Sequence, residues 1–190
     1  MKLIETLKSE HDQMLLMLDV LERMSEMLAS GESVPLEHLR DVLKILQTFA
    51  DKCHHGKEEN YLYPAMVESG VPDKGGPLSI MLSEHGRGRR FVEEMKSLLD
   101  LCEKGDTVSL MLLATPFLQY SDLLQSHIWK ENNLLFPMAE EEVPADKLSA
   151  LEEQFERFEN EQIGQGACEA FREMIEALSK IYLRAPAVGV

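Results

Sequence analysis

The chain has 190 residues, enough for one domain that buries roughly 70% of the surface its unfolded form exposes, without disulfides or other staples. It is 44% hydrophobic, 28% charged and only 6% aromatic, with a formal net charge of -15. A surface of that sign repels phosphate backbones and anionic lipid, so neither nucleic acid nor a membrane is expected as a partner.

Leu, Met, Glu and Lys, all good helix formers, dominate the composition, and an all-α fold follows. Met1 to Glu10 alternates charged and apolar residues and is no secretory signal. Leu3, Leu7, Met14, Leu15, Leu18, Leu21 and Leu28 recur at helical steps and predict a first helix over about 2–29, ended by Ser30-Gly31. A second helix is predicted over 35–68, before the turn-rich stretch Ser69 to Pro77. A third fits 78–103, with Gly105 as its stop, and a fourth fits 107–140, with Pro116 as a kink or early break. From Ala145 to about Leu183 an apolar face returns, interrupted at Gly164 and Gly166, which predicts an additional C-terminal helix, whole or in two pieces, packed outside the other four. Residues 1–142 thus read as the main bundle, 143–184 as a helical extension of the same domain, and 185–190 as a frayed tail.

Self-comparison finds an internal repeat. His54 to Pro64 and His127 to Pro137 both read His-x-x-Lys-Glu-x-Asn-x-Leu-aromatic-Pro, and each is preceded by a shorter echo, Ser9-Glu10-His11 and Ser83-Glu84-His85. His11 lies 43 residues before His54, and His85 lies 42 before His127. Residues four apart share a helix face, so His54 with Glu58, and His127 with Glu131, approach one centre. The neighbours of His54 and Glu58 are Leu43, Leu46, Ala50, Leu62 and Ala65, whereas His55 and Glu59 share their face with Lys44, Thr48 and Asp51. The first pair is therefore expected inside, and His55, like His38, on the surface. Phe117, Tyr120, Leu124, Leu134 and Leu135 place His127 and Glu131 inward, and Leu78, Met81, Leu82 and Val92 do the same for His85.

Two unpaired carboxylates inside a helical core cost several kcal/mol each unless protonated or met by cations. Four imidazoles and two carboxylates exceed the needs of one tetrahedral zinc and suit two ions bridged by the glutamates. The predicted ligands are His11, His54, Glu58, His85, His127 and Glu131, and the donor set favours iron, with zinc or manganese as substitutes. Tyr61, Arg89 and Tyr120 are candidates to support these ligands by hydrogen bonding. Cys53, Cys102 and Cys168 form no Cys-x-x-Cys pair and read as reduced thiols of a cytoplasmic protein; Cys53 points about 100° away from its neighbour His54 on an ideal helix and is not assigned as a ligand.

These motifs resemble those of the hemerythrin-like, HHE cation-binding proteins. The resemblance implies an antiparallel up-down four-helix bundle holding a di-iron centre on the six residues named, with the extra C-terminal helix that many bacterial members carry. It also implies dioxygen or nitric oxide as the small ligand. Arg89 stands where oxygen-carrying members have a fifth histidine, and Asn132 where they have an aspartate. The set is more similar to members that sense iron or oxygen or repair iron centres. Binding or sensing of oxygen, nitric oxide or iron status, without turnover of an organic substrate, is therefore the leading reading. The alternatives are an oxidase, peroxidase or repair factor and a metal-stabilised interaction module, whose protein partner is not marked in the sequence.

Overall fold

A computed structural model of the chain describes residues 2–183. The expected tail, 185–190, lies outside the described residues. The described chain is all-helical. We number the helices α1 (Lys2–Ala29), α2 (36–68), α3 (Pro77–Glu103), α4 (107–142), α5 (145–163) and α6 (Ala167–Tyr182).

The sequence boundaries of the first four helices agree with these to within two residues. Gly31 ends α1 at φ +79°, where Glu32 N–H bonds the Met27 carbonyl and Gly31 N–H bonds that of Leu28, so two carbonyls left over by the helix are satisfied. In α4 the chain turns at Leu113 between Thr107–Leu112 and Ala114–Lys130. Pro116 explains this: it offers no N–H to the Leu112 carbonyl and its ring crowds that oxygen. The C-terminal segment forms two helices rather than one. Gly164 at φ +112° and Gly166 at φ +75° adopt backbone angles that a side chain would oppose, and the helix breaks there.

Two helices depart from α geometry where the repeat lies. Residues Ile45–His55 and Glu58–Leu62 of α2, and Glu131–Leu135 of α4, are π-helical. Pro64 and Pro137 follow the last two turns, and in a regular helix their rings would crowd the carbonyls of Asn60 and Asn133. Opening the turn relieves that clash. The same asparagines fold back, Asn60 Nδ2 donating to the Gly56 carbonyl at 2.6 Å and Asn133 Nδ2 to that of Trp129 at 2.7 Å.

Apolar burial falls into two clusters. One includes Met14 to Leu28, Leu39 to Cys53, Val92 to Cys102 and Leu113 to Ile128; the other includes Leu3 to Leu7, Leu62 to Met66, Leu78 with Met81, and Leu135 to Ala139. The predicted ligands sit between the two clusters on α1, α2 and α3, and at their junction on α4. Along successive helices the clusters are met in alternating order. α1 contacts α4, α5 and α6, and α3 contacts α2 and α4. Leu148, Leu151 and Phe155 of α5, and Phe171, Ile175 and Leu178 of α6, bury their faces in these same clusters.

Candidate metal centre

The six predicted ligands converge. All are at most 1% exposed. His11 and His54 form one group with Glu58 and Glu131, and His85 and His127 form a second with the same two glutamates; within each group the donor atoms lie within 4.8 Å of one another. Each glutamate offers one oxygen to each group. Glu131 Oε2 lies 3.1 Å from His11 Nε2 while its Oε1 lies 3.2 Å from His127 Nε2; Glu58 Oε1 is 3.6 Å from His54 Nε2 and its Oε2 is 3.6 Å from His85 Nε2.

Every one of the four histidines has its outward nitrogen occupied. His54 Nδ1 donates to Glu10 at 2.8 Å and His127 Nδ1 to Glu84 at 2.9 Å. These glutamates are the residues immediately before His11 and His85 in the short echo of the repeat. Each also takes the repeat lysine, Lys57 on Glu10 and Lys130 on Glu84. His11 Nδ1 donates to Asn132 Oδ1 at 2.9 Å and His85 Nδ1 to Glu59 Oε1 at 2.7 Å, and these acceptors hold equivalent positions in the two repeat copies. The pattern fixes the tautomers, leaving Nε2 of each ring facing the centre.

In the neutral rings that leaves Nε2 lone pairs aimed at carboxylate oxygens, and His85 Nε2 lies 3.0 Å from His127 Nε2, close enough for the two rings to share a proton. His11 Nε2, His54 Nε2, Glu58 Oε1 and Glu131 Oε2 are buried with no hydrogen-bond partner among the described residues. Such contacts repel unless a proton or a cation lies between them. Four imidazole nitrogens and two carboxylates shared between the groups suit metal ions of the borderline class that includes iron.

Burial dominates the acid–base balance. It raises the Glu58 carboxyl well above the usual range, and the neighbouring Glu131 charge raises it further. Burial also opposes ionisation of Glu131, but the His127 and His11 charges prevail and hold it well below that range. His127 shows the converse: burial lowers it, yet Glu131 and Glu84 lift it to about 9. Glu10 is pushed up by burial and held down to about 2 by His54 and Lys57.

His55 corrects the sequence reading. It is 3% exposed, stacks on His85 at 3.9 Å between ring centroids and 17° between planes, and forms a third donor group with His85 and His127. Among the described residues both of its ring nitrogens lack a hydrogen-bond partner, the Asp51 carboxylate lying 3.6 Å from Nδ1. An α-helix turns about 100° per residue, and a π-helix, with its i→i+5 bonding, turns less. Residues 54 and 55 therefore diverge less than an ideal helical wheel gives, and both reach the interior. The drift also explains Leu134, which is 53% exposed although an ideal wheel places it beside His127.

The three candidates for supporting roles lie in different places. Arg89 bonds Glu59 at 2.7 Å and Asp51 at 2.8 Å, so it holds the carboxylate that holds His85. Tyr120 lines a cavity of about 280 Å³ together with His55, His85, His127, Asp51 and Arg89. Tyr61 packs against Phe155 and Phe158. Sequence reasoning missed Tyr63, the aromatic of the first repeat copy, whose hydroxyl lies 2.8 Å from Glu131 Oε1 and 3.3 Å from Glu58 Oε2. Its counterpart Phe136 stacks on His11 at 5.4 Å. Glu10, Glu84, Lys57 and Lys130 were also missed as supporting residues, although all four stand in the repeat.

The family model described as the Hemerythrin HHE cation binding domain matches residues 2–139. The chain is 37% identical over 89 residues to the iron-sulfur cluster repair protein YtfE of Dickeya chrysanthemi, covering 45% of this chain and 40% of that relative. It is 33% identical over 88 residues to the protein of the same name from Pectobacterium atrosepticum, again covering 45% and 40%. An uncharacterized protein of Mycobacterium bovis is 21% identical over 177 residues, 93% of this chain and 68% of the relative. The chain thus aligns with less than half the length of the relatives named for cluster repair. No solved structure matches it. Among the described residues no helix is long and apolar enough to cross a membrane.

Proposed function

The chain belongs to the hemerythrin HHE cation-binding family, and on that premise we propose that it is a cytoplasmic non-haem iron protein whose buried centre holds two irons. His11 and His54 would hold one ion, His85 and His127 the other, and Glu58 and Glu131 would bridge them. The observation that carries this reading is the sharing of both glutamates by the two histidine pairs, with His11 Nε2, His54 Nε2, Glu58 Oε1 and Glu131 Oε2 buried there without a hydrogen-bond partner among the described residues. Residues 1–142 form the metal-binding unit and 143–184 its extension. The alternating order of the two apolar clusters along α1 to α4 supports an antiparallel up-down bundle, with α5 and α6 laid against it.

A bound iron pair supplies redox-active Lewis-acid sites for a small ligand such as dioxygen or nitric oxide. The protein's part is positional. Glu10, Glu84, Glu59 and Asn132 hold the four rings so that each Nε2 faces inward, and the apolar clusters above and below keep bulk water out. The cavity at His55, His85 and His127 offers a small molecule a way to the second histidine pair. We assign the chain to binding or sensing oxygen, nitric oxide or iron status. The iron-sulfur cluster repair named for its YtfE relatives is the second reading.

The test is metal analysis of anaerobically purified protein beside a His54→Ala, His127→Ala double variant. Two irons per chain in the wild type, lost in the variant, is the expected result, followed by an absorption change when nitric oxide or oxygen meets the reduced protein. Absence of metal after iron reconstitution overturns the proposal. Restoration of a damaged iron-sulfur enzyme by the iron-loaded protein would select the repair reading.

A further inference from the structure

The three cysteines are all free, but two of them are not separate. Cys53 Sγ on α2 and Cys168 Sγ on α6 lie 3.0 Å apart, and the two residues are 0% and 2% exposed. A disulfide bond is about 2.05 Å long. The sulfurs therefore need to close only about 1 Å further. A Glu159 carboxylate oxygen lies within 4.8 Å of both, and Lys57 Nζ lies 3.6 Å from Glu159. Lys57 and Glu159 also line a small cavity of about 110 Å³ between α1, α2 and α5, large enough to hold a peroxide beside Glu159.

We propose that Cys53 and Cys168 are a modification site: a dithiol that hydrogen peroxide converts to a disulfide, tying α6 covalently to the helix that carries His54, Glu58 and His55. Glu159 takes the Cys168 proton. The thiolate attacks one peroxide oxygen, the O–O bond breaks, and hydroxide leaves and is protonated to water. Cys53 then attacks the sulfur of the resulting Cys168 sulfenic acid; the S–S bond forms, and the second oxygen leaves as water with the Cys53 proton. Two thiols lose two electrons and two protons, and one peroxide becomes two waters.

A metal site is the competing use of these three groups, and the surroundings oppose it. Three donors fall one short of a tetrahedral thiolate site, and the Lys57 ammonium already lies against the same carboxylate. The Cys53 contact, burial and Glu159 all push the Cys168 thiol up, so the pair reacts slowly, over minutes or longer at neutral pH. The disulfide responds to sustained oxidant and not to single turnovers. It reaches the centre by contacts already described, because Cys53 is bonded to His54 and Lys57 pairs with Glu10, the His54 acceptor.

The experiment exposes the full chain, as purified and after metal removal, to one to ten equivalents of hydrogen peroxide. Thiols are then blocked and tryptic peptides mapped without reductant. The expected product joins residues 53–57 to residues 158–172, weighs two hydrogens less than the two peptides together, and separates on adding dithiothreitol. Cys53→Ser abolishes it and leaves a Cys168 sulfenic acid trapped by dimedone, while Cys102→Ser leaves the link intact. Full alkylation of Cys53 and Cys168 with no linked peptide overturns the proposal. So does protection of both thiols by retained zinc, or their oxidation to sulfinic acids without passing through the link. Because the metal-free sample is included, failure of the metal reading and failure of the disulfide are read separately.

Discussion

Tyr63 donates its hydroxyl proton to Glu131 Oε1 at 2.8 Å, from inside the first copy of the repeat to the shared carboxylate of the second. This contact ties the two halves of the centre together before any cation arrives. Tyr63→Phe removes a donor from a fully buried carboxylate, which costs about 1–3 kcal/mol when the acceptor is left without a partner. The loss is expected in urea unfolding of the metal-free protein and is smaller in the loaded form, where the oxygen gains a metal ligand. Equal losses in both states would show that the hydroxyl matters to the fold alone.

Glu10 and Lys57 form a buried ion pair whose carboxylate also orients His54. Glu10→Gln leaves the buried Lys57 charge to the more distant Glu159 carboxylate at 3.6 Å and is expected to destabilise the metal-free chain by up to about 3 kcal/mol. The same change removes the acceptor on His54 Nδ1 and lowers metal affinity by about 10–100-fold. Adding Lys57→Met to Glu10→Gln recovers part of the stability but none of the affinity. Unfolding curves and competitive chelator titration of the single and double variants separate the two effects.

Arg89 acts on the centre through Glu59, at one further remove. Its side chain is 42% exposed, so Arg89→Ala changes stability by less than about 1 kcal/mol. Glu59→Gln weakens the His85 contact directly and is expected to lower metal affinity by about 10-fold or more, with Arg89→Ala showing a smaller drop in the same direction. A larger drop for Arg89→Ala than for Glu59→Gln would place Arg89 at the cavity mouth as a ligand-binding group in its own right.

Gly56 lies inside α2, where alanine would normally add about 1 kcal/mol of helix stability. A Cβ there would meet Phe158 Cζ at 2.8 Å, so the Phe158 ring must yield. Gly56→Ala is expected to be neutral or destabilising in the wild type and stabilising in a Phe158→Leu background, where the clash is gone. Thermal melts of the four proteins test the change of sign.

Metal binding and folding are coupled, because the site's repulsive contacts exist only in the folded chain. At a metal concentration 100 times the dissociation constant, the loaded protein gains about 2.7 kcal/mol, a Tm rise of about 5–10 °C for a chain of this size. Chelation should reverse it. The His54→Ala, His127→Ala variant should show little change with metal or chelator.

Helix positions were legible because apolar spacing and the stops Gly31, Gly105 and Pro144 are local features, and local interactions decide where a helix starts and ends. The inward convergence of the six predicted ligands was legible for a related reason. His-x-x-x-Glu places both groups on one face of any helix, and the repeat showed that the arrangement occurs twice. Glu10, Glu84, Lys57 and Lys130 were present in the same repeat, but their role could not be read there, since each pair joins residues more than forty positions apart on different helices. The break of the C-terminal segment into α5 and α6 was half visible at Gly164 and Gly166, whose backbone angles depend on how the two pieces pack.

The amino-acid sequence by itself determined an all-helical chain with a twofold His and Glu pattern, because helix periodicity and side-chain chemistry are properties of short segments. Only the tertiary structure decided that His55 joins the centre, that Tyr63 and not Tyr61 meets the glutamates, and that Cys53 meets Cys168. The first two depend on π-helical turns that shift the register of every later side chain, and the third on the packing of α6 against α2. These are relations between distant parts of the chain, set by how the helices pack and not by any local pattern.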